Sequence, residues 1–308
     1  MKRISFLTGL FVLLTLSCSN GEGELIVEPW VWSDKKIVWF GTSIPAGGGN
    51  IDSYPAYTAE KLGAQIFNES VGSSMIRAGH TNITKEDPYG WESLSWENCI
   101  YSLTQTIDQK NELINNWNYW KTKLTYNPPD TLTDEIKTKI LDSSYENKLL
   151  RHLGNNRADL YVFDHGHNDW LEYLPEMADG LMTMPKDLFN RNYYFGGMYF
   201  LINKILADNP HARIVFIGHY ENDRKEIISE AQLELSSYWD YPLCHLWEKL
   251  NWTQQIDPET GKTITQLNMP DDLHPYSDTR IDPETGYKEA VKAIGEVCYD
   301  FLKDIYNQ

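Results

Sequence analysis

The 308-residue sequence predicts a three-layer α/β/α fold, in which a parallel five-stranded sheet carries helices on both faces. Three observations carry that expectation. Short apolar runs of strand length recur along the chain, stretches with helical spacing separate them, and the runs are continuous, as strands buried on both faces require. The first run, Lys36-Ile37-Val38-Trp39-Phe40, ends at Gly41. A helical stretch over 53–62 follows, then a second strand at Gln65-Ile66-Phe67-Asn68 and a third at Asp159-Leu160-Tyr161-Val162-Phe163, rich in β-branched and aromatic residues. An amphipathic helix over 193–207 leads through Asn209-Pro210 to a fourth strand, Arg213-Ile214-Val215-Phe216-Ile217. Residues 227–235 read as a helix and 242–247 as a fifth strand. Ala290, Ile294, Val297, Phe301, Leu302 and Ile305 then recur at helical spacing, so the last helix packs one face on the sheet. Strands alternating with helices imply βαβ units with right-handed crossovers, and function gathers beyond the carboxyl ends of such strands.

Residues from about 80 to 156 do not fit a single crossover. Helical spacing over 106–124 and 131–153, broken at Pro128-Pro129, makes this segment a helical insertion packed against the core. The hexapeptide Ile-Asp-Pro-Glu-Thr-Gly occurs at both 256–261 and 281–286, and its Pro and Gly mark two turns to which no chemistry is assigned.

A composition of 41% hydrophobic and 23% charged residues fits one sizeable core, here residues 35–308. Met1-Lys2-Arg3 is basic, and 4–16 is an apolar run too short for the ~20 residues that span a bilayer, so 1–18 reads as a signal peptide. Its end, Leu14-Thr15-Leu16-Ser17-Cys18, resembles the lipobox of bacterial lipoproteins, which implies lipidation at Cys18 and a membrane anchor; the alternative is a plain secretory signal. Residues 19–34 read as a flexible tether. The expected location is the cell envelope, as an outer-membrane lipoprotein facing periplasm or surface, or else secretion. Beyond Cys18 stand Cys99, Cys244 and Cys298, widely spaced and odd in number, which suggests neither a disulfide framework nor a metal site. The net charge of −17 disfavours nucleic acid and polyanionic substrates.

Polar groups cluster where the strands end. Ser43 lies two residues beyond Gly41, in the turn that leaves the first strand. Asn68-Glu69-Ser70-Val71-Gly72-Ser73-Ser74 follows the second strand, a small-residue turn whose backbone N–H groups could point at a ligand. The third leads into Asp164-His165-Gly166-His167-Asn168-Asp169, and Asp271-Asp272-Leu273-His274-Pro275 precedes the last helix. Acyl transfer needs these parts: a nucleophile, a base oriented by a carboxylate, and donors for an oxyanion.

These four blocks, in this order, resemble those of the SGNH (GDSL-like) hydrolases. The resemblance spans roughly residues 36–305 apart from the insertion and implies a flavodoxin-like sheet. Gly41-Thr42-Ser43-Ile44 is similar to the family's Gly-Asp-Ser-Leu block, so Ser43 takes the role of nucleophile, with Thr42 in place of the common aspartate. The second block usually supplies a glycine N–H to the oxyanion hole five residues after its asparagine; here Ser73 holds that place and Gly72 precedes it, so either amide could serve. Gly166-His167-Asn168-Asp169 matches the Gly-x-Asn-Asp block and makes the Asn168 side chain a second donor. Asp271 and His274 match the last block as orienter and general base, with Asp272 as the fallback carboxylate. The implied activity is ester hydrolysis through an acyl-enzyme, with no cofactor and no metal.

The substrate expected from the resemblance and the acidic, aromatic-rich composition is an ester, acetyl above all, on a small molecule or neutral glycan. Alternatives are a lipase or thioesterase, the lipase implying an apolar lid that the insertion's Trp117 and Trp120 leave open, and a surface lipoprotein that binds glycans without catalysis. His165 and His167 are read as loop residues that shape the pocket rather than metal ligands, His219 as a loop residue near the site, and Trp170 as a candidate platform for a sugar ring.

Overall fold

The computed structural model describes residues 30–47, 52–79, 85–87, 90–92, 95–125, 127–171, 186–221 and 226–306. Cys18, the lipobox and most of the tether lie outside them. Residues Val31–Gln308 form one compact unit.

Strands β1 (Lys36–Gly41), β2 (Gln65–Asn68), β3 (Leu160–Asp164), β4 (Arg213–Ile217) and β5 (Leu243–Cys244) form one parallel sheet in the order β2-β1-β3-β4-β5. This is the flavodoxin-like order, whose reversal point falls between β1 and β3. The expected strands are all present, with β5 shortened to two residues because a helix begins at Leu246.

The helices, in chain order, begin with α1 (Ser43–Ala46) and α2 (Tyr54–Leu62), which Ser53 caps by accepting from the Ala56 N–H. The insertion supplies α3 (Trp96–Ile100), α4 (Ile107–Asn115), α5 (Trp117–Trp120), α6 (Asp134–Asp142) and α7 (Tyr145–Lys148). Thr106 and Gln109 close a reciprocal capping box on α4, and Thr133 caps α6. After β3 come α8 (His167–Leu171) and α9 (Tyr194–Asp208); after β4, α10 (Glu226–Trp239); after β5, α11 (Leu246–Leu250), α12 (Ile264–Asn268) and α13 (Glu289–Tyr306).

Side chains alternate across the strands, so Val38, Phe40, Tyr161, Phe163, Ile214 and Phe216 share one sheet face. They form a single buried cluster with Met198, Leu201, Ile202 and Ile205 of α9 and Ile228 and Leu235 of α10. On the opposite face Trp39 meets Tyr54 of α2 edge to face, and α2 docks on α13 through the Thr58 hydroxyl, which donates to Gly295 O. Of the apolar residues expected to bury the last helix, Ala290, Ile294 and Leu302 do so, joined by Val291 and Cys298. Val297, Phe301 and Ile305 instead line a cleft between α13 and the β5–α11 segment.

The insertion is double-natured. Its own core joins Trp91, Cys99, Ile100, Leu113, Trp117, Trp120, Leu124 and Ile140. Its Leu103, Tyr145 and Leu149, however, belong to the main core beside Phe40 and Phe163, so this part is packed into the domain. The repeated hexapeptide folds twice into the same hairpin turn: Asp257 N–H donates to Lys262 O and Asp282 N–H to Tyr287 O, each at 2.8 Å, with Gly261 and Gly286 left-handed. Cys99, Cys244 and Cys298 are buried free thiols.

Leu302, on α13, is fully buried. Replacing it with alanine leaves a cavity and is expected to cost about 2–5 kcal/mol, read from the midpoint of urea unfolding.

Candidate active site

The site lies where the topology puts it, beyond the carboxyl ends of β1, β2 and β3. The last pair in the β1–β3 register is Gly41 with Asp164, so the chain leaves both strands side by side. Gly41 has no room for a side chain. A Cβ there would stand 2.2 Å from Pro45 Cγ and 3.1 Å from Asp164 O. Thr42 then turns the chain and accepts a hydrogen bond from the Ile44 N–H, which sets Ser43 as the first residue of α1. The threonine hydroxyl is thus the N-cap of this short helix.

His274 Nε2 is 2.9 Å from Ser43 Oγ, and its Nδ1 is 2.8 Å from Asp271 Oδ2. Asp271 also accepts the N–H groups of Leu273 and His274 through Oδ1, at 3.0 and 2.7 Å. Burial pushes the Asp271 carboxyl up, but the hydrogen bonds from His274, Ser277 and Leu273 reverse this and hold it below the ordinary carboxylate value. It is therefore ionised, as an orienter of an imidazole must be. Asp272 has a left-handed backbone at φ 64°, and the carboxylate bonded to His274 is that of Asp271. Tyr276, two residues past His274, stacks on the imidazole with ring centroids 4.6 Å apart. Neither Tyr276 nor Ser277 stood out in the sequence, although both directly follow the His274-Pro275 pair.

The second block forms a tight turn over residues 71–74. Ser74 N–H closes it on Val71 O at 3.2 Å, and Ser73 has φ 60° while Gly72 does not, which is the pattern of a type II turn. That is the physical reason a glycine suits position 73. Ser73 occupies the left-handed region at a steric cost. Among the described residues the N–H groups of Gly72 and Ser73 have no partner, whereas that of Ser74 is used. A Cβ on Gly72 would lie 3.7 Å from Ser43 Cβ, so the turn runs against the serine.

Asn168 is bound into the same turn. Its Nδ2 donates one hydrogen to Ser74 O at 2.8 Å, and an amide nitrogen has a second to offer. The neighbouring Asp169 is wholly buried and accepts the backbone N–H groups of Ile76 and Arg77 at 3.1 and 3.0 Å. Burial pushes this carboxyl up, against the opposing pull of Arg77 and the backbone donors. Asn168 and Asp169 thus staple the second block to the third. The sequence assigns Asp169 no role of its own, because its partners are 92 and 93 positions away.

Asp164, at the end of β3, accepts from Trp39 Nε1 at 3.2 Å and from the Tyr54 hydroxyl. Burial raises it to about 7, against those two hydrogen bonds. His165 is buried beside it, and desolvation lowers it to about 3, so the imidazole is neutral. His219 is also buried; its Nε2 is 2.8 Å from Glu221, and its ring lies 5.3 Å from that of His167. With Thr42, Ile44, Asp164 and His167 it lines one small cavity beside the site. Among the described residues no group of three or more His, Cys, Asp or Glu side chains is arranged to hold a metal ion. The Trp170 side chain lies outside the described set.

No protein-family model and no curated protein matches the chain. Among solved structures, one is similar at a TM-score of 0.52 and 16% identity, with 90% of this chain and 100% of the other covered. A possible lipase from Chitinophaga pinensis DSM 2588 is similar at a TM-score of 0.42 and 14% identity over 89% of this chain and 100% of that one. A family two carbohydrate esterase from Cellvibrio japonicus is similar at 0.42 and 15% identity, over 89% of this chain and 62% of that one. The first likeness agrees with the fold described above.

Ser73→Gly removes the left-handed strain. It is expected to raise stability by about 1 kcal/mol and Tm by about 2–3 °C in a calorimetric scan, a gain that Ser73→Ala, which keeps the Cβ, does not give.

Proposed function

We propose that the chain is a serine esterase of the SGNH hydrolase family that removes acyl groups, acetyl above all, from carbohydrate. One observation carries the reading: the unbroken hydrogen-bonded series from Ser43 through His274 to Asp271, set against a turn with two uncommitted amides and the Asn168 side chain.

In this mechanism His274 Nε2 takes the Ser43 proton as Oγ bonds to the ester carbonyl carbon, and the carbonyl oxygen becomes an oxyanion. Asn168 Nδ2 and the N–H groups of the 72–73 segment donate to it. The carbon–oxygen bond to the alcohol then breaks, and the alcohol leaves with the proton from His274. Water repeats the sequence on the acyl-enzyme: His274 takes its proton, the acid departs, and the Ser43 hydroxyl is restored. Asp271 remains an anion throughout and fixes the imidazole, with Nδ1–H directed at the carboxylate and Nε2 toward Ser43.

The net charge of −17 favours neutral over polyanionic glycans. A lipase would display an apolar lid, whereas Trp117 and Trp120 are 6% and 3% exposed within the insertion's own core. A binder without catalysis would have no use for the full nucleophile, base and orienter series.

Wild type is expected to label with a fluorophosphonate, hydrolyse p-nitrophenyl acetate and release acetate from acetylated xylan or pectin. Ser43→Ala abolishes labelling and turnover, and Asn168→Ala lowers kcat by about 100- to 1,000-fold. Wild type inert in all three assays, or a Ser43→Ala variant with unchanged turnover, overturns the esterase reading. We further propose export with a lipid anchor at Cys18. Cys18→Ala is then expected to move the protein from the membrane to the soluble fraction on cell fractionation, and persistent membrane retention counts against the anchor.

A further inference from the structure

The turn over residues 71–74 holds a serine where a glycine would be relaxed, and such a backbone persists only where its surroundings over-determine it. The surroundings are supplied from both ends by the insertion. On the amino-terminal side, Glu69 stands two residues before the turn, with its N–H anchored on Trp39 O at 2.9 Å. Its carboxylate receives Lys148 Nζ at 3.0 Å, His152 Nε2 at 2.7 Å and Arg151 at 3.4 Å, all from the insertion's last segment. The Glu69, Lys148 and His152 side chains are 14%, 9% and 7% exposed, so this is a nearly dry ion cluster rather than a surface pair. Burial pushes the Glu69 carboxyl up, but the bond from His152 and the charges of Lys148 and Arg151 bring it down to about 2. It is therefore an anion at any working pH.

On the carboxyl-terminal side, Met75 N–H donates to Tyr101 O at 3.2 Å, Leu103 N–H donates to Met75 O at 2.8 Å, and the Ser102 hydroxyl donates to Arg77 O. The segment 101–103 is in turn tied to α7, because Tyr145 N–H donates to Leu103 O at 2.7 Å. The same short stretch of insertion, 145–152, thus grips both flanks of the turn. Tyr145 and Leu149 are themselves sunk in the main core.

We infer that the insertion is the clamp of the oxyanion turn: Glu69, Lys148 and His152 are positioning residues that hold residues 71–74 against Ser43 and let the chain carry a serine at the left-handed position. This rests on the esterase reading of the site. The cluster makes no contact with the reacting atoms and acts through the turn, so its loss is felt where charge develops on the carbonyl oxygen rather than in ground-state binding.

The test is steady-state kinetics on p-nitrophenyl acetate. Glu69→Ala and Lys148→Met are expected to lower kcat by about 10-fold while KM stays within about twofold, the pattern of a displaced oxyanion donor. Affinity for a trifluoromethyl ketone, whose adduct with Ser43 places an oxyanion in the hole, falls in parallel with kcat/KM. Adding Ser73→Gly to Glu69→Ala recovers most of the lost kcat, since a relaxed turn no longer needs the clamp. Leu302→Ala, which destabilises the domain far from the turn, keeps kcat per folded molecule within about twofold. A folded Glu69→Ala with wild-type kcat, a loss confined to KM, a double variant no better than Glu69→Ala, or an equal loss in Leu302→Ala each overturns the inference. Should Glu69→Ala fail to fold, Glu69→Gln keeps the volume and removes the charge, and an unchanged kcat there overturns it as well. Wild type that does not turn over the probe removes the esterase reading and this inference together; active wild type with unaffected Glu69 variants removes this inference alone.

Discussion

The parallel pairing of β1 with β3 is the constraint from which the site follows. It brings Gly41 level with Asp164 and releases two loops side by side at the reversal point of the sheet, where no crossover covers them. Ser43 and Asn168 are 125 positions apart in sequence and are brought together because those strands are neighbours. β2, on the outer side of β1, adds the 71–74 turn to the same edge. The carboxyl-terminal segment brings His274 over the top from outside the sheet. That arrangement needs Gly41 to have no side chain, because Pro45 and the Asp164 carbonyl occupy the space.

Around this edge, four carboxylates are stabilised in different ways, and the differences decide what each can do. Asp271 is partly exposed and receives N–H groups of its own loop, so it stays ionised and orients His274. Asp169 is wholly buried, takes two backbone donors and joins two loops. Glu69 is compensated by Lys148 and Arg151 of the insertion and bonded to the His152 ring. Asp164 is buried with only neutral donors, a tryptophan and a tyrosine, and its carboxyl rises to about 7. The order follows the rule that an anion in a dry environment is held by charge or by several donors, and otherwise takes up a proton.

Much of this was legible in the sequence. The strands were readable because burial on both faces demands continuous apolar runs, and the last helix because its apolar residues recur at helical spacing. Position 73 was visible as an anomaly, but its meaning required the dihedral angle. The insertion reads from its periodicity as helices packed against the core; only the structure shows that Trp117 and Trp120 sit in a separate core of its own while Tyr145 and Leu149 join the main one.

The sequence by itself determined the order of elements, the sheet's strands and the four polar blocks, because these depend on local periodicity and on residues close together in the chain. Asp271 and His274, three positions apart, belong to that local class. Only the tertiary structure decided that Asp169 staples Ile76 and Arg77, that Tyr276 stacks on His274, and that Lys148 and His152 meet Glu69. Apart from the Tyr276 stack, these contacts join residues roughly 80 to 90 positions apart, and nothing in one segment records the partner it meets. Chain distance carries no information about which buried charge will be neutralised by which donor; desolvation sets the demand locally, and packing alone supplies the answer.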